Sequence, residues 1–178
     1  AEAADRIDDV LPFIGPWVTQ NPKVVVKYVW QSLPGQVAYQ SQYRRISGVD
    51  YMIFSPATTG ANSWTKPRDI VDHEFGHGIA YQSFAWAGTT DPHTEIGATH
   101  EFFGDFYAVL LDETYSNRTW LDAATWRVGE GLFTSSSSLA LRSLKQPRTD
   151  PNAIEHDRNW YPTRSLTITQ DHDNATIP

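Results

Sequence analysis

His73-Glu74-Phe75-Gly76-His77 decides how this sequence is interpreted, because it places two histidines four positions apart around a glutamate. Residues at i and i+4 of an α-helix lie on one face, so both imidazoles can reach one cation, while Glu74 sits one position round the helix. This pattern is typical of zinc hydrolase sites, in which the glutamate contacts the water on the metal. The stretch therefore predicts a helix with two zinc ligands and a general base.

Glu101 and Asp105 are the expected partners of these histidines. A catalytic zinc takes three protein ligands and keeps one position for water, so one further donor is needed. We expect Glu101 to be the third ligand and Asp105, one turn later, to accept a hydrogen bond from a ligating histidine. An isolated acidic pair would more often be a solvated helix face. Phe102, Phe103 and Phe106 argue instead for a helix buried over much of its circumference.

The composition restricts the classes of function. At 178 residues the chain is long enough for one compact domain or for one lobe of a larger enzyme. Its net charge is -7 and it has no Lys/Arg-rich run, so nothing favours nucleic acid or a membrane as partner. No apolar stretch approaches the roughly 18 residues of a membrane span. Because cysteine is absent, disulfides and thiolate-bound zinc are excluded.

The order of elements predicts an α+β fold in one domain, residues 1–178. Within it, residues 1–90 are expected to form a small sheet plus the motif helix, and residues 91–178 the third-ligand helix and substrate-side segments. β-branched and aromatic runs predict three strands, at residues 24–30, 37–43 and 51–54. Helical periodicity predicts a helix after Pro67 and another over residues 96–111.

Glycines inside the predicted helices need an explanation. Gly76 and Gly78 each weaken a helix by roughly 1 kcal/mol relative to alanine, so we expect packing to stabilise the motif helix. Close approach of another element is one reason for a glycine there. Small residues on either side of Glu101, namely Gly97, Ala98 and Gly104, would let the two helices approach closely enough to share an ion.

These motifs resemble a known family. His73-Glu74-x-x-His77 followed by Gly97-Ala98-Thr99-His100-Glu101-x-x-x-Asp105 is similar to the thermolysin family of zinc endopeptidases. Residues 126–130, 141–144 and 172–178 resemble later segments of its catalytic chain in the same order. The resemblance implies a zincin-type domain, with a central active-site helix followed by mainly helical segments. It also implies a C-terminal helical lobe beyond residue 178, either missing here or supplied by a second chain.

Further site residues follow from this resemblance. In the family, the counterpart of His172 hydrogen-bonds the oxyanion, and that of Arg142 contacts substrate carbonyls and the ligand carboxylate. The family's oxyanion tyrosine has no match, and His93 is the candidate substitute. His100 stands where the family usually has asparagine, and we do not expect it to be a ligand.

The resemblance also implies a calcium cluster. Asp69, Asp112 and Glu130 fall on the family's buried calcium site, but Thr125 and Arg127 stand where further acidic ligands would be. Ca²⁺ takes 6 to 8 oxygen ligands. We therefore expect at most one calcium ion, with Arg127 paired to Asp112 or Glu130.

The favoured interpretation is a secreted zinc endopeptidase that cleaves internal peptide bonds, with Glu74 as the base and the site between the motif helix and the sheet. Its partner would be a peptide or protein substrate, with no nucleic acid and no membrane. One alternative is a catalytically dead or latent fragment that binds zinc and peptide but needs a missing C-terminal lobe. Another is a non-enzymatic interaction module on the same fold.

Overall fold

The computed structural model describes residues 24–28, 41–47, 49–84, 95–115, 118–146 and 149–154. Five short strands, two α-helices and one turn of 3-10 helix make up its regular structure. In chain order they are β1 (Val24–Tyr28), β2 (Ser41–Ile46), β3 (Val49–Phe54), α1 (Arg68–Phe84), α2 (Glu95–Tyr115), the 3-10 turn (Ala124–Trp126), β4 (Arg127–Val128) and β5 (Arg142–Ser143).

The first three strands form one sheet in the order β1-β3-β2. β3 pairs in parallel with β1 and antiparallel with β2, so β2 lies at an edge of the described sheet. The second strand begins at Ser41, whereas the sequence predicted residues 37–43; residues 37–40 lie outside the described part. The register of β2 follows its pairing with β3, in which Ser41 lies opposite Phe54 and Ile46 opposite Val49.

The two helices pack against each other through glycine. α1 starts directly after Pro67, as expected for a residue that favours helix starts. A Cβ on Gly76 would lie 3.1 Å from the Cα of Gly104, and a Cβ on Gly104 would lie 2.7 Å from the His73 ring. Real Cβ atoms essentially never come within 3.0 Å of a neighbour, so a side chain at Gly104 would displace the His73 ring, whereas one at Gly76 would need its neighbours to shift by a few tenths of an ångström. This contact brings His73 against α2, as the sequence predicted.

The core lies between the sheet, the helix pair and the loops that follow α2. It contains mainly aliphatic and aromatic side chains that are almost fully buried: Met52, Phe54, Ile70, Phe75, Ile79, Tyr107, Leu111, Leu132 and Leu141. Fully burying one such side chain stabilises a fold by roughly 1.5–3 kcal/mol. The apolar side of α1 therefore fixes the rotation of the helix, and with it the direction of the motif residues.

The segment after α2 differs from the prediction of mainly helical structure. The described residues from 118 to 154 hold one turn of 3-10 helix, the two-residue pair β4 and β5, and turns. Gly129 and Gly131 have φ of 87° and 81°, a left-handed conformation that ends regular structure and is easy only for glycine. In the described residues no helix is long and apolar enough to cross a membrane.

Candidate metal centre

His73 and His77 on α1 and Glu101 on α2 converge on one point. Their ligand atoms lie within 4.8 Å of one another, and among the described residues this is the one group of three such side chains able to hold a metal ion. Oε2 of Glu101 is 3.2 Å from Nε2 of His73 and 3.4 Å from Nε2 of His77. We name these three residues the ligand cluster.

These distances fit a zinc ion. Zn–N and Zn–O bonds of about 2.0–2.2 Å separate two ligands of a tetrahedral ion by about 3.3–3.6 Å. Both N···O distances match the edge of such a tetrahedron within about 0.1 Å. Two imidazoles and one carboxylate are three ligands, and three protein ligands would leave a tetrahedral zinc ion one position for water.

Asp105 and Arg142 fix the orientation of the His73 ring. Nδ1 of His73 donates to Oδ1 of Asp105 at 2.7 Å, and Arg142 donates to both oxygens of Asp105 at 2.9 and 2.8 Å. Burial opposes ionisation of Asp105, but Arg142 and His73 together hold the pKa of its carboxyl far below its usual range. The ionised Asp105 keeps the proton of His73 on Nδ1, so that Nε2 of His73 faces the other two residues of the ligand cluster.

His73 itself shows how strongly this site attracts positive charge. Burial opposes the charged imidazolium, but Asp105 and then Glu101 outweigh it and raise the pKa of His73 to about 10. Without a metal, the second proton of His73 therefore occupies Nε2, between the ring and Glu101. A metal ion would take the place of that proton.

His77 has a different partner, which the sequence did not predict. Its Nδ1 is 2.7 Å from Nδ1 of His100 on α2, and His100 is 8% exposed. Burial and then the neighbouring His77 lower the pKa of His100 to about 4, so its ring is neutral at pH 7. The helical spacing of His100 and Glu101 gave no signal of this contact, because it depends on how closely the two helices pack.

Glu74 is placed beside the ligand cluster without joining it. It is 2% exposed, and its buried Oε2 has no protein hydrogen-bond partner. An unpaired carboxylate oxygen in the interior costs at least about 1–3 kcal/mol, so it points to a water or ion that the protein accommodates there. The unpaired Oε2 of Glu74 therefore also fits a zinc site with bound water.

The sheet forms one side of the centre through Tyr43 on β2. Its ring centroid is 6.4 Å from that of His77, and its hydroxyl donates to Oδ1 of Asp50 at 2.7 Å. Burial and then the hydrogen bond to Asp50 raise the pKa of Tyr43 far above its usual range, so the hydroxyl keeps its proton. The ligands thus lie between the two helices, with the edge strand as a neighbour.

The expected calcium position holds a guanidinium instead. Nη1 of Arg118 donates to Oε2 of Glu130 at 2.7 Å and to Oδ2 of Asp112 at 3.2 Å. Asp69 is buried, and its two oxygens accept the N–H groups of Ile70 and Gly129 at 2.8 and 2.6 Å. These residues do not fit a calcium ion, which needs several free oxygens directed at one point.

Arg127 lies next to this site and forms an ion pair with Glu130, as expected, but its main partner is Asp150. Its guanidinium donates to both oxygens of Asp150 at 2.9 and 3.1 Å, and only a 3.5 Å contact joins it to Glu130. Arg118 fills the cation position that the sequence assigned to Arg127. We name Arg118, Arg127, Asp112, Glu130 and Asp150 the arginine cluster.

Other predicted site residues lie elsewhere. His93 and His172 are outside the described residues. Arg142 is 5% exposed and paired with Asp105, so its contact with substrate stays a prediction. Phe106 is 41% exposed, so α2 is less enclosed than its aromatic sequence suggested, although Asp105 beside it is fully buried.

Comparisons with known proteins bear on the same region. Residues 92–177 match the family described as thermolysin metallopeptidase, alpha-helical domain. Among solved structures, the precursor of protealysin, a metalloproteinase from Serratia proteamaculans, is similar with a TM-score of 0.62 and 20% sequence identity. The match covers 98% of this chain and 55% of that chain, so this chain spans about half the length of the protein it resembles. No curated protein matches the chain.

The structural likeness, at 20% identity, supports the fold. The family match covers Glu101, Asp105 and Arg142, the residues that complete the centre begun by the two histidines of α1. Sequence motif, geometry and family match agree. The chain is similar to the thermolysin-like metallopeptidase family, whose alpha-helical domain matches residues 92–177.

Proposed function

We propose that this chain is the catalytic unit of a zinc-dependent endopeptidase, organised as one domain over residues 1–178. The observation that carries the proposal is the convergence of His73, His77 and Glu101 beside the buried carboxylate of Glu74. The match of residues 92–177 to the alpha-helical domain of a metallopeptidase family supports it.

The chemistry follows from the side chains present. Zinc, when bound, would supply a Lewis acid that lowers the pKa of water towards about 7 and polarises the scissile carbonyl. Glu74 accepts the proton of the attacking water and later delivers it to the leaving amine. Asp105 keeps the Nδ1 proton of His73 in place, so that the ring presents a bare Nε2 to the metal.

Substrate contacts are assigned by resemblance. Arg142 would contact the substrate, His172 would stabilise the oxyanion, and His93 would take the place of the family's tyrosine. The preferred bond would have an apolar residue on its leaving-group side, and the protein would be secreted. A C-terminal helical lobe or a second chain would complete the cleft, and comparing kcat/KM of this chain with that of a longer form tests this part.

Glu74→Gln tests the proposal. The amide is close to isosteric but cannot accept the proton, so zinc content and folding should stay unchanged while peptide hydrolysis falls about 10²- to 10⁴-fold. Zinc content by elemental analysis and kcat/KM on a casein-derived or furylacryloyl peptide are measured together. Turnover within about tenfold of the parent would overturn the role of Glu74. Zinc without hydrolysis in the parent chain would favour the latent fragment, and absence of zinc the interaction module.

A further inference from the structure

We propose that Arg45 on β2 is a substrate-binding residue that selects peptides with an acidic side chain two residues from the scissile bond. Its guanidinium forms an ion pair with the carboxylate of that side chain, in the space between β2 and α1. The inference rests on the proposed function for the kind of substrate, but the binding preference can be measured without hydrolysis.

Arg45 and Tyr43 are alternate residues of β2, so their side chains lie on the same face of the sheet. The ring centroid of Tyr43 is 6.4 Å from that of the zinc ligand His77, so this face of the sheet adjoins the ligand cluster. Tyr81 follows His77 by four positions on α1, and Cζ of Arg45 lies 5.3 Å from the centroid of its ring. Arg45 therefore lies one step away from the ligand cluster along both the strand and the helix.

The spacing along β2 decides which substrate residue Arg45 can contact. Two residues of an extended chain span roughly 6.6 Å, at about 3.3 Å per residue. Tyr43 lies beside the ligand cluster, and Arg45 is two residues further along the strand. An extended substrate that runs along β2, with its scissile bond at the ligand cluster, therefore brings to Arg45 the side chain two residues from that bond.

The guanidinium of Arg45 is held in place but can still bind a carboxylate. Its Nε is 3.6 Å from Oδ1 of Asp50, which is too long for a hydrogen bond, and that oxygen already accepts the Tyr43 hydroxyl at 2.7 Å. The two terminal nitrogens of Arg45 form no hydrogen bond to another described residue, and its side chain is 30% exposed. A guanidinium presents its N–H groups as a planar fork that matches the two oxygens of a carboxylate. Arg45 is therefore available to the carboxylate of a substrate.

The ion pair between Arg45 and Asp50 also stabilises the sheet, and the two roles of Arg45 predict different results. Arg45 lies directly opposite Asp50 in the pairing of β2 with β3, and opposite charges in such a pair stabilise a sheet modestly. A purely structural Arg45 would affect unfolding and leave the choice of substrate unchanged. The net charge of the chain is -7, which disfavours acidic peptides over the molecule as a whole, so a preference for glutamate must come from a local cation.

The first test is peptide binding to zinc-equilibrated Glu74→Gln, in which the proposed base is absent. Four peptides of otherwise identical sequence carry Glu or Gln two residues before or two residues after the expected scissile bond, so both chain directions are covered. We expect one of the two Glu peptides to bind about 2- to 5-fold tighter than its Gln partner at low salt, the range of exposed ion pairs.

Substitutions on β2 show which side chain causes this preference. It should disappear in Arg45→Gln and remain in Arg45→Lys, which keeps the positive charge. Arg44→Gln is the matched control, because it removes the same charge from the exposed neighbour on the opposite face of β2, and it should leave the preference unchanged. Equal binding of Glu and Gln peptides at both positions, or a preference that survives Arg45→Gln, would overturn the proposal.

The second test is kcat/KM of the parent chain on the same four peptides. We expect the ratio of Glu to Gln peptide to follow the ratio of their affinities and to fall towards one as salt is added. Equal hydrolysis of all four peptides would overturn the role of Arg45 and leave the proposed function intact. A parent chain that binds the Glu peptide preferentially but hydrolyses none of the four would contradict the proposed function and leave the role of Arg45 in binding intact.

Discussion

The ligand cluster and the arginine cluster both bring carboxylates into the interior near the same two helices, yet they satisfy the negative charge in different ways. In the arginine cluster, the guanidinium of Arg118 bridges Asp112 and Glu130, so the chain provides its own cation. In the ligand cluster, the carboxylate of Glu101 faces two imidazoles, at 3.2 and 3.4 Å. Acidic residues alone therefore do not specify a metal site. The kind of basic side chain that faces them differs between the two clusters.

Two buried aspartates provide the largest contrast. Burial raises the pKa of Asp69 to about 7, whereas Arg142 and His73 overcome burial and hold the pKa of Asp105 well below its usual range. The raised pKa means that Asp69 binds its proton more tightly in the folded chain than in the unfolded chain. Protonation of Asp69 therefore stabilises the fold fully below pH 3.8, and this stabilisation is lost as pH rises to about 7. The loss is on the order of 4 kcal/mol, at about 1.4 kcal/mol per tenfold change in proton affinity.

Carboxyl ¹³C shifts measured against pH check this contrast. The resonance of Asp69 should titrate near pH 7, and that of Asp105 should stay in its ionised position down to pH 4. An Asp105 that titrates at an ordinary value would show that Arg142 and His73 do not hold it as described.

Gly104→Ala should disrupt the ligand cluster by a steric clash between the two helices. The new Cβ would meet the His73 ring at 2.7 Å, so the ring must move away from Asp105 and from the metal position. We expect zinc affinity to fall about 100-fold, equivalent to about 2.7 kcal/mol, with little change in the arginine cluster. Zinc titration followed by circular dichroism measures both effects. Unchanged zinc affinity would mean that the helices are farther apart than this geometry requires.

Much of this organisation is visible in the sequence, but the partners of the charged groups are not. The i, i+4 spacing fixes His73 and His77 on one face of α1, and the family pattern adds Glu101 and Asp105. By contrast, Arg142 is 37 positions from its partner Asp105, so periodicity cannot pair them. The three strands were predicted, but β2 continues to Ile46 rather than ending at residue 43, because its length is set by pairing with β3.

The arginine cluster illustrates the same difficulty. Arg118 lies in a loop after α2 without a motif around it, and sequence reasoning assigned its role to Arg127. Both are arginines near acidic residues along the chain. Only the folded loop shows that Arg118 contacts Asp112 and Glu130, while Arg127 lies against Asp150.

Arg118→Ala should have the smallest of these effects. Its side chain is 36% exposed, so solvent weakens its ion pairs, and we expect a loss of about 1–2 kcal/mol in the free energy of unfolding. Calcium should recover part of this loss in Arg118→Ala, where Asp112 and Glu130 lack their cation, and should not stabilise the parent. Thermal unfolding with and without calcium checks this, with the exposed Arg44→Ala as the charge-matched control. A parent that is destabilised by calcium removal would contradict the role of Arg118.

Metal content tests the contrast between the two clusters most directly. The purified chain is equilibrated with both zinc and calcium, passed over a desalting column and analysed for each element. We expect one zinc ion and no calcium ion per chain, and we expect the zinc to be lost when His73 and Glu101 are both replaced by alanine. Stoichiometric calcium in the parent, or zinc that survives this double replacement, would contradict the account.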